Sequence, residues 1–229
     1  VAGMILIAYS NTFTATFHFD DNPAVLENPN IRHMTMDNIM AILRGGRPVV
    51  YLSIMLNYQL NGVNVVGYHI FNIGMHIANS MFVYILILWT LTLPQFIGSY
   101  AERARRMALY CALLFGVHPI QTESVTYIIS RTELLATFFY LMAVLFYIKA
   151  VKTGKGHYAV AIFVSSLCAA ASKEWAVTLP ALLIAYDVLF LSRGNFKTLL
   201  SRWYFFLCAS VPWLFVLSTL NLFTRGGNA

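Results

Sequence analysis

The chain has 229 residues, of which 59% are hydrophobic and only 10% charged, with a formal charge of +6. An ordinary soluble domain carries about 25% charged residues, so this composition excludes one. The positive balance must therefore be weighed as a membrane-orientation signal before it is read as affinity for nucleic acid, and no nucleic-acid partner is expected.

In chain order, residues 1–13 are apolar but too short to cross a bilayer, which reads as a truncated first span and the sequence as a fragment or processed product. No basic leader or small-residue cleavage site marks them as a signal peptide. Residues 14–64 form a long polar connection. Within it, 35–43 (TMDNIMAIL) sets Met36, Ile39, Met40 and Leu43 at helical spacing, which predicts a helix lying on the membrane surface. Thr35 is placed to cap it and Gly45 and Gly46 to end it, before Arg47 and Pro48 open a second amphipathic stretch running to Asn61. Further spans are expected at 65–91, 107–117, 134–148, 158–171, 175–191 and 204–223. The short span ending at Pro119 suggests a helix that stops at depth against protein or a water-filled cavity. The expected fold is thus an all-α polytopic membrane protein, a single domain over 1–229 of about seven spans, with a first loop carrying surface helices. Cys111, Cys168 and Cys208 fall in apolar segments without metal-type spacing and read as small core residues.

Alternate loops are basic. Residues 102–106 hold three Arg, 149–155 three Lys, and 193–202 two Arg and one Lys, so these are expected to be cytoplasmic. The loops at 14–64, 119–133 and 172–174 then lie on the far side and hold most of the acidic residues.

Several polar groups stand out there. Asp20 and Asp21 are adjacent carboxylates that repel, so one can hold a proton while the other stays a base. The same DDNP run also suits a simple turn. His118, Glu123, Arg131 and Glu133 follow within one segment, either as a salt-bridged hairpin or as a cluster in which Arg131 grips a phosphate through two parallel hydrogen bonds. Lys173 and Glu174 sit between two apolar stretches, as a snorkelling interface pair or as a contact to an anionic ligand. In the second span His69, Asn72, His76, Asn79 and Ser80 share one stripe, which reads as interhelical hydrogen bonding. With no carboxylate or cysteine beside those histidines, no metal site is expected.

Five phrases in fixed order, FDDNPAVLENPNI, RPVVYLSIMLNYQLNG, GYHIFNIGMH, HPIQTESVTYIISRTELLA and SKEWAVTLPALLIAYD, resemble the transmembrane-and-TPR O-mannosyltransferase family and its bacterial relatives. The match covers about 17–187. The resemblance implies a GT-C bundle that moves a hexose from a polyprenyl-phosphate sugar to a Ser/Thr hydroxyl of an extracytoplasmic protein. It makes Asp20 and Asp21 the catalytic pair. The resemblance also maps the family's HP…E…R…E and KE phrases onto His118, Glu123, Arg131, Glu133, Lys173 and Glu174, and the reaction expected from these groups is an inverting transfer in which Arg131, then Lys173, and with them His118 bind the donor phosphate while Glu123, Glu133 and Glu174 orient these groups. The lipid-linked sugar is then a substrate, and no cofactor or metal is required. The implied setting is a bacterial inner membrane, or the endoplasmic reticulum membrane in a eukaryote, with membrane lipid around the chain and a membrane complex as a possible assembly. The family's remaining spans and tetratricopeptide repeats are not among these residues. A rival reading from another class is a non-catalytic membrane scaffold or a transporter, although a transporter would be expected to carry an internal repeat, and none is visible.

Overall fold

The computed structural model describes residues 1–96, 98 and 100–219, with the side chains at 101 and 215–219 left aside. Positions 220–223 of the last expected span lie outside the described residues. The regular elements of the described residues are helices: α1 (Ala2–Ala8), α2 (Met36–Leu43), α3 (Pro48–Asn61), α4 (Val65–Leu91), α5 (Ala104–Val117), α6 (Thr122–Thr126), α7 (Arg131–Thr153), α8 (Tyr158–Ala170), α9 (Leu179–Tyr186), α10 (Phe196–Ser201) and α11 (Trp203–Thr219), with shorter helical turns between them. Among the described residues three helical stretches are long and apolar enough to cross a membrane, namely Val65–Leu91, Ile128–Thr153 and Glu174–Leu191, with shorter apolar helices at Tyr158–Ala170 and Trp203–Leu214. The chain is an all-α membrane protein.

Helix α4 organises the bundle. Its N-cap Asn64 accepts from the Val66 amide at 3.1 Å, satisfying one of the open donors of the first turn. Its polar stripe is buried, and each side chain in it bonds to backbone: His69 Nε2 donates to Ala15 O (3.1 Å), His76 Nε2 to Gly116 O (2.9 Å) and Asn79 Nδ2 to Leu134 O (3.0 Å). In an apolar medium an unmade bond of this kind is costly, so the stripe fixes which helix ends can lie beside α4. Helix α5 meets α4 through small buried residues four apart, Ala104, Ala108, Ala112 and Gly116, the pattern that lets membrane helices approach closely. A Cβ on Gly116 would stand 2.8 Å from Ile5 Cδ1 and 3.1 Å from Ser80 Oγ.

Helix α7 runs between α4 and α8, and α11 covers α8. One core fills that contact, with Val144, Tyr147, Ile148, Ile162, Leu179, Leu183 and Phe205 buried together. A second core lies at the other end, where Val25, Ile31, Val50, Ile54 and Met55 of the 14–64 connection pack on Tyr68, Ile128 and Leu135. The long loop is therefore a folded cap on the bundle. Thr35 Oγ1 accepts from the Asn38 amide to start α2, and Pro48 stands in the first turn of α3.

The basic loops converge at the opposite end from that cap. Lys152 Nζ donates to Trp89 O (3.2 Å), Gln95 Nε2 to Phe190 O (2.8 Å) and Arg193 Nη2 to Gln95 Oε1 (3.1 Å). There the fully buried carboxylate of Asp187 accepts from Arg202 Nη1 at 2.5 Å and from the Tyr147 hydroxyl. Asp187 opens a turn of wider helix that runs to Leu191.

Candidate functional site

At the capped end, three segments far apart in sequence enclose a polar cavity of about 420 Å³. Asp20 and Arg47 come from the first connection, Glu123, Tyr127, Thr132, Glu133 and Thr137 from the stretch leading into α7, and Lys173 from the link between α8 and α9.

The turn that presents Asp20 is strained. Phe19 has φ 44°, a left-handed conformation that costs about 1–3 kcal/mol in a non-glycine residue. Asp21 holds it in place. This residue is 1% exposed, and its carboxylate accepts from the His18 amide (3.1 Å) and the Ile129 amide (2.8 Å). Burial pushes the Asp21 carboxyl above its usual range, and those two backbone donors oppose the rise. Asp20 is exposed toward the cavity, and its amide donates to the Tyr127 hydroxyl at 2.9 Å. That hydroxyl keeps its own proton available for donation, and desolvation pushes its pKa up. The adjacent acids thus divide: Asp21 is a clamp, and Asp20 is the carboxylate that meets the cavity.

Four of the residues singled out in the sequence, Asp20, Glu123, Glu133 and Lys173, line this cavity. Lys173 Nζ lies 3.1 Å from Glu133 Oε1, and Glu133 Oε2 accepts from Trp175 Nε1 at 2.7 Å. Glu174 turns to Arg47 at 3.2 Å. Arg131 requires a correction. Its side chain is fully buried and does not face the cavity; Nε donates to Asn72 Oδ1 (3.0 Å), Nη1 to Ser53 O (3.2 Å) and Nη2 to Asn57 Oδ1 (2.8 Å), with the guanidinium over the Phe71 ring at 4.1 Å. Its donors are turned into the packing of α3, α4 and α7, where a phosphate has no access. His118 also stands apart: its Nδ1 accepts from the Ile120 amide at 3.2 Å and caps the turn Pro119–Gln121.

Arg47 and Tyr127 line the cavity as well, without standing out in the sequence as site residues. In the sequence Arg47 marks only the opening of α3, and its bidentate-capable side chain is the available signal. Tyr127 gave none, because only the fold brings it beside Asp20. Among the described residues no cluster of three or more His, Cys, Asp or Glu side chains is arranged to hold a metal ion.

The chain is 30% identical over 218 residues to human protein O-mannosyl-transferase TMTC2, covering 87% of this chain and 25% of that protein. It is 26% identical over 220 residues to human protein O-mannosyl-transferase TMTC4, covering 85% and 29%. It is 29% identical over 201 residues to Drosophila melanogaster protein O-mannosyl-transferase Tmtc1, covering 82% and 22%. The chain spans about a quarter of the length of the curated relatives it matches. No family model matches, and no solved structure matches. Its curated homologues are thus protein O-mannosyl-transferases of the TMTC group.

Proposed function

We propose, taking that homology as the premise, that the chain is the catalytic membrane portion of a protein O-glycosyltransferase that moves a hexose of mannose type from a polyprenyl-phosphate donor to a Ser/Thr hydroxyl. The single observation that carries this reading is the cavity that Asp20 and Lys173 both line, together with the hydroxyls of Ser124, Tyr127, Ser130, Thr132 and Thr137. Hydroxyl-rich walls that also carry carboxylates and cations suit a sugar phosphate: neutral donors and acceptors for the ring, positive charge for the departing group.

In the proposed reaction the Asp20 carboxylate takes the proton of the acceptor hydroxyl as its oxygen attacks C1 of the sugar. The bond from C1 to the phosphate oxygen breaks on the opposite face, so the configuration at C1 inverts. The phosphate leaves with the bonding electron pair and is met by Lys173. Glu133 holds that lysine at the cavity before the donor binds, and Asp21 contributes by fixing the turn rather than by touching substrate. Phosphate is a good leaving group, so these residues need no metal for the step. The basic loops gather at the end of the bundle away from the cavity, and the positive-inside bias then assigns the cavity to the non-cytoplasmic side. In a bacterium that membrane is the inner one and in a eukaryote that of the endoplasmic reticulum.

Intact-mass analysis of extracytoplasmic proteins from cells with and without the gene tests the reading. A hexose-sized mass lost on deletion is the expected outcome. Unchanged masses across the acceptor candidates would favour a non-catalytic scaffold instead.

A further inference from the structure

Arg47 and Lys173 reach the same cavity from different segments, Arg47 just ahead of α3 and Lys173 in the link that precedes α9. Both are occupied by carboxylates. Arg47 donates through Nε and Nη2 to Glu174 Oε1 at 3.4 and 3.2 Å, and Lys173 Nζ lies 3.1 Å from Glu133. The Arg47 and Glu174 side chains are 36% and 50% exposed, and those of Lys173 and Glu133 27% and 35%. Ion pairs this exposed contribute little to stability, so they exchange readily for a better partner. A phosphate is one, because a guanidinium meets it with two parallel charge-assisted bonds. The cavity also carries more carboxylates, Asp20, Glu123 and Glu133, than cations, so an entering anion has to displace some of that negative charge from the cations to be held.

We infer that Arg47 and Lys173 form a two-cation site for a phosphate group, and that Glu174 and Glu133 hold its place as internal counterions until a phosphate displaces them. The inference deepens the glycosyl-transfer reading and rests on it for the source of that phosphate, the lipid carrier. It assigns to Arg47 the phosphate contact that Arg131, turned into the core, does not make.

Binding of farnesyl phosphate, farnesol and inorganic phosphate to the purified protein in detergent tests it, with thermal unfolding confirming that each variant is folded. Arg47→Gln and Lys173→Gln should each weaken farnesyl phosphate binding by roughly tenfold or more. Glu174→Gln should tighten it by roughly three- to fivefold, the worth of one exposed ion pair. Farnesol binding should be the same in all variants. If Arg47→Gln does not fold, Arg47→Lys serves, and binding equal to the unsubstituted protein would overturn the two-bond grip. Weakening at both cations with no gain at Glu174→Gln would overturn the place-holding role and leave the phosphate site standing. No change at either cation would overturn the site itself, while the hexose mass test above still decides glycosyl transfer independently. Inorganic phosphate bound as tightly as farnesyl phosphate would overturn the lipid carrier as the source.

Discussion

Asp21 and Ile129 stand 108 positions apart in sequence and are joined by a 2.8 Å hydrogen bond from the Ile129 amide to Asp21 Oδ1. The bond ties the strained turn at Phe19 to the chain just before α7, and so it sets where Asp20 points. Two neighbouring carboxylates consequently have different duties and should fail in different ways.

Asp20→Asn should lower transfer by 10²–10⁴-fold, the usual worth of a general base, with the melting temperature little changed. Asp21→Asn should instead cost about 1–3 kcal/mol of stability, because its amide nitrogen must face one of two backbone donors and leave it unpaired. Transfer assays beside thermal unfolding separate the two. Full activity in Asp20→Asn would remove the base.

The ionisation of Asp21 adds a pH signature. Its carboxyl is raised by burial above the usual 3.8, so the folded state binds that proton more tightly than the unfolded chain does. The associated stability is fully present below 3.8 and is lost as pH rises through the raised folded value. Subtracting the unfolding curve of Asp21→Asn from that of the unsubstituted protein should therefore give a difference that favours the latter as pH falls through the window just above 3.8. A difference flat across that window would contradict the burial of this group.

Arg131 is expected to be a stability residue. Truncation to Ala would strand the Asn57 and Asn72 acceptors and the Ser53 carbonyl in the packing, at about 1–3 kcal/mol for each group left unsatisfied. Arg131→Lys keeps the charge but cannot serve all three acceptors at once, so it should also lower the unfolding temperature. A fully stable Arg131→Lys protein that has lost phosphate binding would restore the role its sequence context suggests.

That difference marks how far the sequence was legible. The spacing of polar groups along α4 was readable because a helical stripe has a fixed period. Thr35 and Pro48 were readable because capping chemistry is local. The direction in which Arg131 points was not, since it depends on Asn57 and Asn72, which arrive from two other helices. The same holds for Arg47 and Glu174, 127 positions apart. A sequence displays which groups are available but not the long-range contacts that consume them. Of the cavity residues it did identify, Asp20 and Lys173 lie on connections between helices and Glu123 and Glu133 in the first turns of α6 and α7, where a side chain leaves the chain near the end of the bundle.

Tyr127 should act as a positioning residue for Asp20. Its hydroxyl accepts from the Asp20 amide at 2.9 Å, and the site is open enough for water to replace that bond. Tyr127→Phe should thus cost about 1 kcal/mol or less in stability. It should lower kcat by roughly tenfold with KM little changed, since a misaimed base weakens the chemical step more than donor binding. Loss of KM alone would move Tyr127 to the donor side of the cavity.

The topology can be checked without any activity. Helix α7 has 23 residues, which at about 1.5 Å per residue separates its ends by roughly 35 Å, enough to span the hydrocarbon core. One end adjoins the cavity through Thr132 and Glu133, and the other carries Lys149 and Lys152, with Lys152 bonded to the end of α4. In a background lacking the three native cysteines, a cysteine at position 103 should be labelled by a membrane-impermeant reagent from the cytoplasmic side only, and one at position 118 from the other side only. The basic loops at 149–155 and 193–202 both stand at the C-terminal end of α4, because Lys152 bonds to Trp89 and Arg193 to Gln95. Labelling of 103 and 118 from one side would place the base and the lipid phosphate on the same side as the basic loops, and the proposed reaction on non-cytoplasmic acceptors would fail with it.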